Sequence, residues 1–315
     1  LPFEAGKIRA AAAAVADSRT LMSTTNARVF DLPALPAVLP AFARAALSAT
    51  RSVRAPVEIP AWTVRVGSLS FDRRHVAEYN ALCGFPDANR VPMTYPQVLA
   101  TPLYLNLMTR PGFPLPLMGL VHVRNRIESR RELAIDETFD VSVSLGASRE
   151  VRAGLELDLI VSFREFDGDL LWQATMTVLR RGPRRDGGDA PAAKVSAPAD
   201  EPGLAQYLSI AAPEDIGRRY ARISQDYNPI HLHAATAKLF GFKRAIAHGL
   251  WTKARVLAEL ASRLPSPPRG FDVQFRQPLL LPGRATLRYV QGPARLDFAL
   301  LEAAGGKVHL SGTLR

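Results

Sequence analysis

The chain has 315 residues, 47% of them hydrophobic, with a formal net charge of +11. That length supports one large core or two moderate ones, and no apolar run is long enough to cross a bilayer. The single cysteine, Cys83, excludes an internal disulfide framework and any cysteine-rich zinc site, in keeping with a soluble cytoplasmic protein. The Lys and Arg residues are scattered as "RR", "RNR" and "KR" among segments that alternate like strands. There is no basic stripe, zinc-finger spacing or RNP-like aromatic run, so a solvated basic surface is expected rather than a nucleic-acid interface. The same charge would steer an anionic small molecule held by two or three of these side chains.

In chain order, the opening "KIRAAAAAVADSRTL" joins an alanine run to Asp17 and reads as a helix, not an export signal. Residues 1–56, including "FDLPALPAVLPAF", are expected to form a helical extension. Residues 57–181 begin with "LSFDRRHVAEYNALCGF", a short strand running into an amphipathic helix. The apolar "YPQVLATPLYLNLMTRP" follows, where Pro102 removes an amide donor and should kink or shorten a helix. "LELDLIVSFREFDGDLLWQATMTVLRR" alternates at period two on both sides of Asp167 and Gly168, a hairpin pattern. Residues 182–203, rich in Pro, Gly, Ala and charge without apolar periodicity, read as a linker.

Residues 204–315 repeat the plan. "LSIAAPEDIGRRYARISQD" again leads from strand to helix, and "GLWTKARVLAELASRL" places Leu250, Ala254, Leu257, Ala261 and Leu264 at helical spacing. Trp251, Val256 and Leu260 widen that face, so a largely buried helix over 249–264 is expected. A last hairpin surrounds Gly305 and Gly306. With Tyr79 set against Tyr220, Asp226 falls opposite Phe85 and His231 opposite Arg90. The scaffold is duplicated, but these polar residues occur in the second copy only, which favours chemistry over a structural role.

The segment "ISQDYNPIHLH" carries that difference. On a continuous helix Asp226 and His231 would lie about 140° apart and could not converge. Pro229 forbids continuity and pushes Asn228 to an extended backbone, making a turn that aims both side chains into one cleft. Asn228 either pins this turn or contacts a ligand. Asp226, His231, His233 and His248 also form a conceivable metal set, although His248 suits a structural bond ahead of the helix. No Gly-x-Ser-x-Gly elbow or Walker-type loop occurs, and Cys83, in apolar surroundings, is expected to be inert.

Together with "GFKRAIAHGL", the motif resembles that of the MaoC-like (R)-specific enoyl-CoA hydratase family. The matching residues are Tyr220, Ser224, Asp226, Asn228, Pro229, Ile230, His231, Gly241, Phe242, Ala247, His248 and Gly249. Gln225 stands where the family usually has glycine, and Leu250 where it usually has methionine. The resemblance implies an α+β double hotdog, with a degenerate first repeat supporting a catalytic second one. It also implies reversible hydration of a trans-2-enoyl thioester by an Asp226/His231 dyad, without metal or cofactor. The substrate would be an acyl-CoA, or the thioester of an acyl carrier protein. The Gly249 amide, at a helix N-terminus, is placed to donate to the thioester oxygen, with Asn228 beside the substrate. A hotdog thioesterase and a non-catalytic acyl-CoA binding protein are the alternatives. In the first repeat Tyr95, Leu99, Leu103, Leu107 and Met108 are expected to shape an acyl pocket. Monomer and homodimer both remain open.

Overall fold

The computed structural model describes residues 27–47, 57–166, 168–182, 205–303 and 306–315. Among these residues eleven strands form one sheet. The strands are β1 (Arg28–Leu32), β2 (Trp62–Ser70), β3 (Leu120–Ser129), β4 (Thr138–Val151), β5 (Gly154–Arg164), β6 (Leu170–Arg181), β7 (Gln206–Ala212), β8 (Gly270–Phe275), β9 (Gly283–Gln291), β10 (Leu296–Glu302) and β11 (Val308–Leu314). Their order is β1-β2-β4-β5-β6-β3-β8-β11-β10-β9-β7. Outward from the central β3–β8 pair the two sides run β3-β6-β5-β4-β2 and β8-β11-β10-β9-β7, the same connectivity twice. The duplication read in the sequence is therefore present in the topology, and β3 and β8 join the copies antiparallel from Arg124 opposite Gln274 to Glu128 opposite Gly270. Period-two alternation explains the strands: in β4, Phe139, Val141, Val143 and Leu145 are buried while the residues between them are only half-buried.

The helices are α1 (Leu39–Leu47), α2 (Arg73–Cys83), α3 (Tyr95–Leu99), α4 (Thr101–Met108), α5 (Ile216–Ser224), α6 (Ala234–Leu239) and α7 (Gly249–Leu260). Two expectations about the central helices change in detail. Helix α7 stops at Leu260, and Ala261–Arg263 continue only as a 3-10 turn. In the first half the apolar segment is two short helices broken at Ala100. The break precedes Pro102 because proline is accommodated in a first turn, where its missing N–H has no helical partner, but clashes with a preceding one.

The N-terminal extension is also not purely helical. "RVFDL" forms β1, which pairs parallel with β2, so the otherwise antiparallel sheet is mixed. Phe30 sets its ring edge-on to Trp62 at 5.8 Å, a tertiary contact that decides the strand. The opening alanine run and residues 183–203 of the linker lie outside the described residues.

The copies touch through α2 and α5. The Tyr79 and Tyr220 rings are 6.4 Å apart. His75 Nε2 donates to the Ile223 carbonyl at 3.0 Å, leaving Nδ1 to accept from the Tyr95 hydroxyl at 2.7 Å. Both helices end the same way. Gly84 caps α2 at φ 79°, and its counterpart Gln225 caps α5 at φ 58°, ψ 18°. The family's glycine at this position thus has a physical reason, since left-handed backbone costs a residue with a Cβ about 1–2 kcal/mol. Glycine gives back roughly 0.4–1 kcal/mol as extra freedom in the unfolded chain. Gln225→Gly should therefore raise stability by roughly 0.5–1 kcal/mol, read from the urea midpoint. An unchanged or lower midpoint would show that the glutamine side chain makes good the strain.

Candidate active site

The left-handed Gln225 turns the chain out of α5, and the next residues hold one another. The Asp226 amide donates to Ser224 Oγ at 3.3 Å, and the Asn228 amide donates to Asp226 Oδ1 at 3.2 Å. Asn228 is extended (φ −58°, ψ 124°), as Pro229 requires, and Pro229–His231 form a 3-10 turn. Asn228 Oδ1 accepts the Ile230 amide at 3.4 Å, so its side-chain oxygen pins the turn. Helix α5 also supports this turn from below. A Cβ on Gly217 would sit 1.9 Å from the His231 carbonyl oxygen, so only glycine lets the turn lie this close. Arg218 adds a bond from Nη1 to the Leu232 carbonyl at 3.2 Å.

A second segment closes over the turn. The Ile246 amide donates to the Ile230 carbonyl at 3.1 Å, and His231 Nδ1 donates to the Ile246 carbonyl at 2.8 Å. A carbonyl only accepts, so Nδ1 carries the proton and Nε2 presents a lone pair. His231 is 8% exposed. Burial lowers its pKa, only partly opposed by the nearby Asp226 carboxylate, and favours the neutral ring.

His248, 2% exposed, stacks on His231 with ring centroids 3.7 Å apart. Its Nε2 donates to the Asp226 backbone carbonyl at 3.0 Å, so it fixes the carboxylate residue from behind. This matches the structural bond expected of it. Burial and then the neighbouring His231 lower its pKa well below the usual value.

Asp226, His231 and His248 each bring one side-chain donor atom within 4.8 Å of the other two, whereas His233 caps α6 on the exposed side and is not in the group. This set does not suit a metal. Imidazole lone pairs lie in the ring plane, and two rings stacked at 26° cannot converge on one ion. His248 Nε2 and His231 Nδ1 donate to carbonyls, which leaves His231 Nε2 and His248 Nδ1 as the remaining ring nitrogens. The other sequence candidates fall as follows. Gly249 opens α7 directly after His248, and no side chain caps the helix there. A Cβ on it would meet the Phe275 ring at 3.2 Å. Phe85 is half-buried, and Arg90 is exposed in an ion pair with Glu132. Cys83 is buried with its thiol pushed up to about 12, as an inert cysteine should be. Tyr95, Leu103, Leu107 and Met108 are buried in the core and Leu99 half-buried against it.

Two residues near the site escape a reading of the sequence. Gly217 looks like an ordinary helix glycine. Lys253, one turn after Gly249, is fully buried and donates to Gln97 Oε1 at 2.9 Å and Asn125 Oδ1 at 2.5 Å. Burial lowers its pKa well below that of a free lysine. Its position between Leu250 and Leu257 on the apolar stripe was the available signal.

The buried histidines make stability depend on pH. Below about pH 6.5 the unfolded chain takes up protons that the folded chain refuses, so stability is full above that value and falls as the pH drops toward the folded-state pKa values. His248→Gln keeps an amide donor for the Asp226 carbonyl and removes one titrating group. Urea unfolding at pH 7.5 and 5.5 should show a smaller acid loss in the variant, by up to about 1.4 kcal/mol per pH unit. An equal loss in both proteins would exclude a buried neutral His248.

Comparison with known proteins follows the same lines. Residues 193–297 match the MaoC like domain. The 3-hydroxyacyl-thioester dehydratase X of Mycobacterium tuberculosis is 37% identical over 272 residues, 86% of this chain and 95% of that protein. Peroxisomal enoyl-CoA hydratase 2 of Arabidopsis thaliana is 31% identical over 152 residues, 45% of this chain and 49% of that protein. The crystal structure of HtdX of M. tuberculosis superimposes with a TM-score of 0.68 at 35% identity, covering 80% of this chain and 99% of that one. A MaoC-like dehydratase from Phytophthora capsici shares the fold with a TM-score of 0.69 at 18% identity, covering 84% and 97%. With a relative of this identity matched along almost its whole length, the chain belongs to the MaoC-like dehydratase family of hydro-lyases and has its double-hotdog fold.

Proposed function

We propose that this enzyme adds water reversibly to a trans-2-enoyl thioester, giving the (R)-3-hydroxyacyl thioester, with Asp226 and His231 as its acid–base pair. One observation carries the reading: a buried His231, its Nδ1 proton given to the Ile246 carbonyl, and the Asp226 carboxylate each bring one side-chain polar atom within 4.8 Å of the other. Two polar atoms at that separation or less can hold one water between them at ordinary hydrogen-bond lengths. The relatives named for 3-hydroxyacyl thioesters and for enoyl-CoA support the substrate class.

In the hydration direction the water oxygen bonds to C3 and the C2–C3 π pair moves toward C2 and the thioester oxygen. The dyad takes one proton from the water and returns a proton to C2, so no net charge is left on the enzyme. Because the two groups lie so close, the proton belongs to the pair, and base and acid are roles shared within it. The enolate oxygen that develops needs a donor. The Gly249 amide supplies one at the N-terminus of α7, where the helix dipole also favours the anion. Asn228, with its oxygen committed to the turn, keeps the dyad in place beside the substrate. The scattered positive charge of the chain suits the phosphates of coenzyme A; an acyl carrier protein, itself an anionic carrier, is the finer alternative. The same chemistry serves a monomer or a homodimer.

Asp226→Asn and His231→Ala should each lower turnover of crotonyl-CoA by about 100-fold or more with folding retained. Loss of enoyl absorbance without release of free thiol reads hydration and separates it from thioester hydrolysis. Near-normal hydration by either purified variant would remove that residue from the mechanism. Gly249→Val keeps the amide but sets a branched side chain against the Phe275 ring and the approaching thioester. Turnover should fall by roughly 100-fold, the usual scale for one lost oxyanion donor, while CoA binding is retained; the melting temperature, lowered by crowding of the Phe275 ring, reports whether the variant is folded at the assay temperature. A folded variant with full turnover would exclude the Gly249 amide from this role.

A further inference from the structure

The duplicated scaffold contains two places equivalent by topology, and only one carries the dyad. At the other, beyond the left-handed Gly84, a cavity of about 330 Å³ opens. It is lined by Phe85 and Arg90, the counterparts of Asp226 and His231, with Met93, Leu257, Ala261 and Leu264 among its walls. The volume lies at the lower end of the range for small-molecule sites, and the lining is mostly apolar. None of Asp226, His231, His248 and Gly249 reaches it. Along α7, Leu257 lies eight residues beyond Gly249, about 12 Å of helix, so the cavity is separate from the dyad.

Its charges limit what it can hold. Asp87, Arg90 and Glu132 are the charged residues of the lining, and the Arg90 guanidinium is already paired with Glu132. Among the described residues of the lining Arg90 is the one cation and is already paired, so a ligand carboxylate would meet two acids. We propose that this cavity is a second, catalytically silent site that binds the acyl chain of another thioester molecule, with the carrier outside. The inference rests on reading the dyad cleft as a thioester site, because the cavity is its topological counterpart with the acid–base residues replaced.

The test counts ligands on the full chain by equilibrium dialysis, with octanoyl-CoA as a saturated probe that cannot be hydrated. Wild-type protein should bind two molecules per chain, and Ala261→Trp, which fills the cavity, should bind one and still hydrate crotonyl-CoA within about threefold of wild type. Ala258→Trp, on the same wall, is an independent filling variant should the first fold poorly. CoA alone should not occupy the second site. A second equivalent bound as well by octanoate as by octanoyl-CoA would overturn the thioester assignment. A single equivalent in wild-type protein would overturn the second site. A single equivalent weakened by Ala261→Trp would make the cavity a tail subsite of the catalytic cleft instead. Hydration of crotonyl-CoA in the same preparations keeps the two readings apart: hydration with one equivalent sinks only the silent site, whereas neither hydration nor binding sinks the proposed function as well.

Discussion

Helix α5 ends at Ser224 because Gln225 adopts a left-handed backbone, and the geometry of the cleft depends on where that end falls. A helix continuing through the next turn would hold Asp226 and His231 about 140° apart. Instead the chain reverses, Asp226 takes the Asn228 amide, Pro229 opens a 3-10 turn, and His231 comes to rest under the Ile246 carbonyl. The helix that releases this segment also supports it, since the bare backbone at Gly217 is where the His231 carbonyl lands. Tautomer and burial of the His231 ring thus follow from a backbone choice six residues earlier.

The first half keeps the same helix end without a carboxylate or histidine at the equivalent positions. Gly84 takes the left-handed position there, and beyond it stand Phe85 and Arg90. Glycine has a second reason at that place: a Cβ would lie 1.7 Å from Arg255 Nη1, which donates to the Cys83 carbonyl at 2.7 Å. One copy therefore uses its helix end to seat an arginine from the other copy, and the other copy uses it to aim a carboxylate. Among the described residues two non-glycines take a left-handed φ, Gln225 at the end of α5 and Ser68 in β2 of the first copy.

What could be read from the sequence was what depends on neighbours in the chain. The hairpins, the turn forced by Pro229 and the apolar stripe of α7 are local patterns, and each folds as its pattern requires. The places that escaped depend on distant partners. Lys253 stands on the apolar stripe of α7, which signals burial, but its acceptors Gln97 and Asn125 come from the first half and carry no local signature. Gly217 matters only because the His231 carbonyl packs on it. Strand β1 was read within a helical extension because its partner β2 begins some thirty residues later. His248 was read correctly as a structural bond, but its stacking on His231 is a relation between two loops that spacing does not encode.

The β3–β8 ladder joins residues about 150 positions apart. During synthesis the first copy is complete well before β8 emerges. At about 5–20 residues per second the roughly 100 residues between them take on the order of 5–20 s. Through that interval β3 is an unpaired edge, the kind of strand that recruits other chains. Its sequence, "LVHVRNRIES", sets Arg124, Arg126 and Glu128 at alternate positions, and charge along an edge discourages such pairing. When β8 arrives the same side chains change use: Arg126 comes within 3.7 Å of Asp272, and Glu128 within 3.6 Å of Arg315. The residues that keep the nascent half solitary thus become the rim of the finished seam.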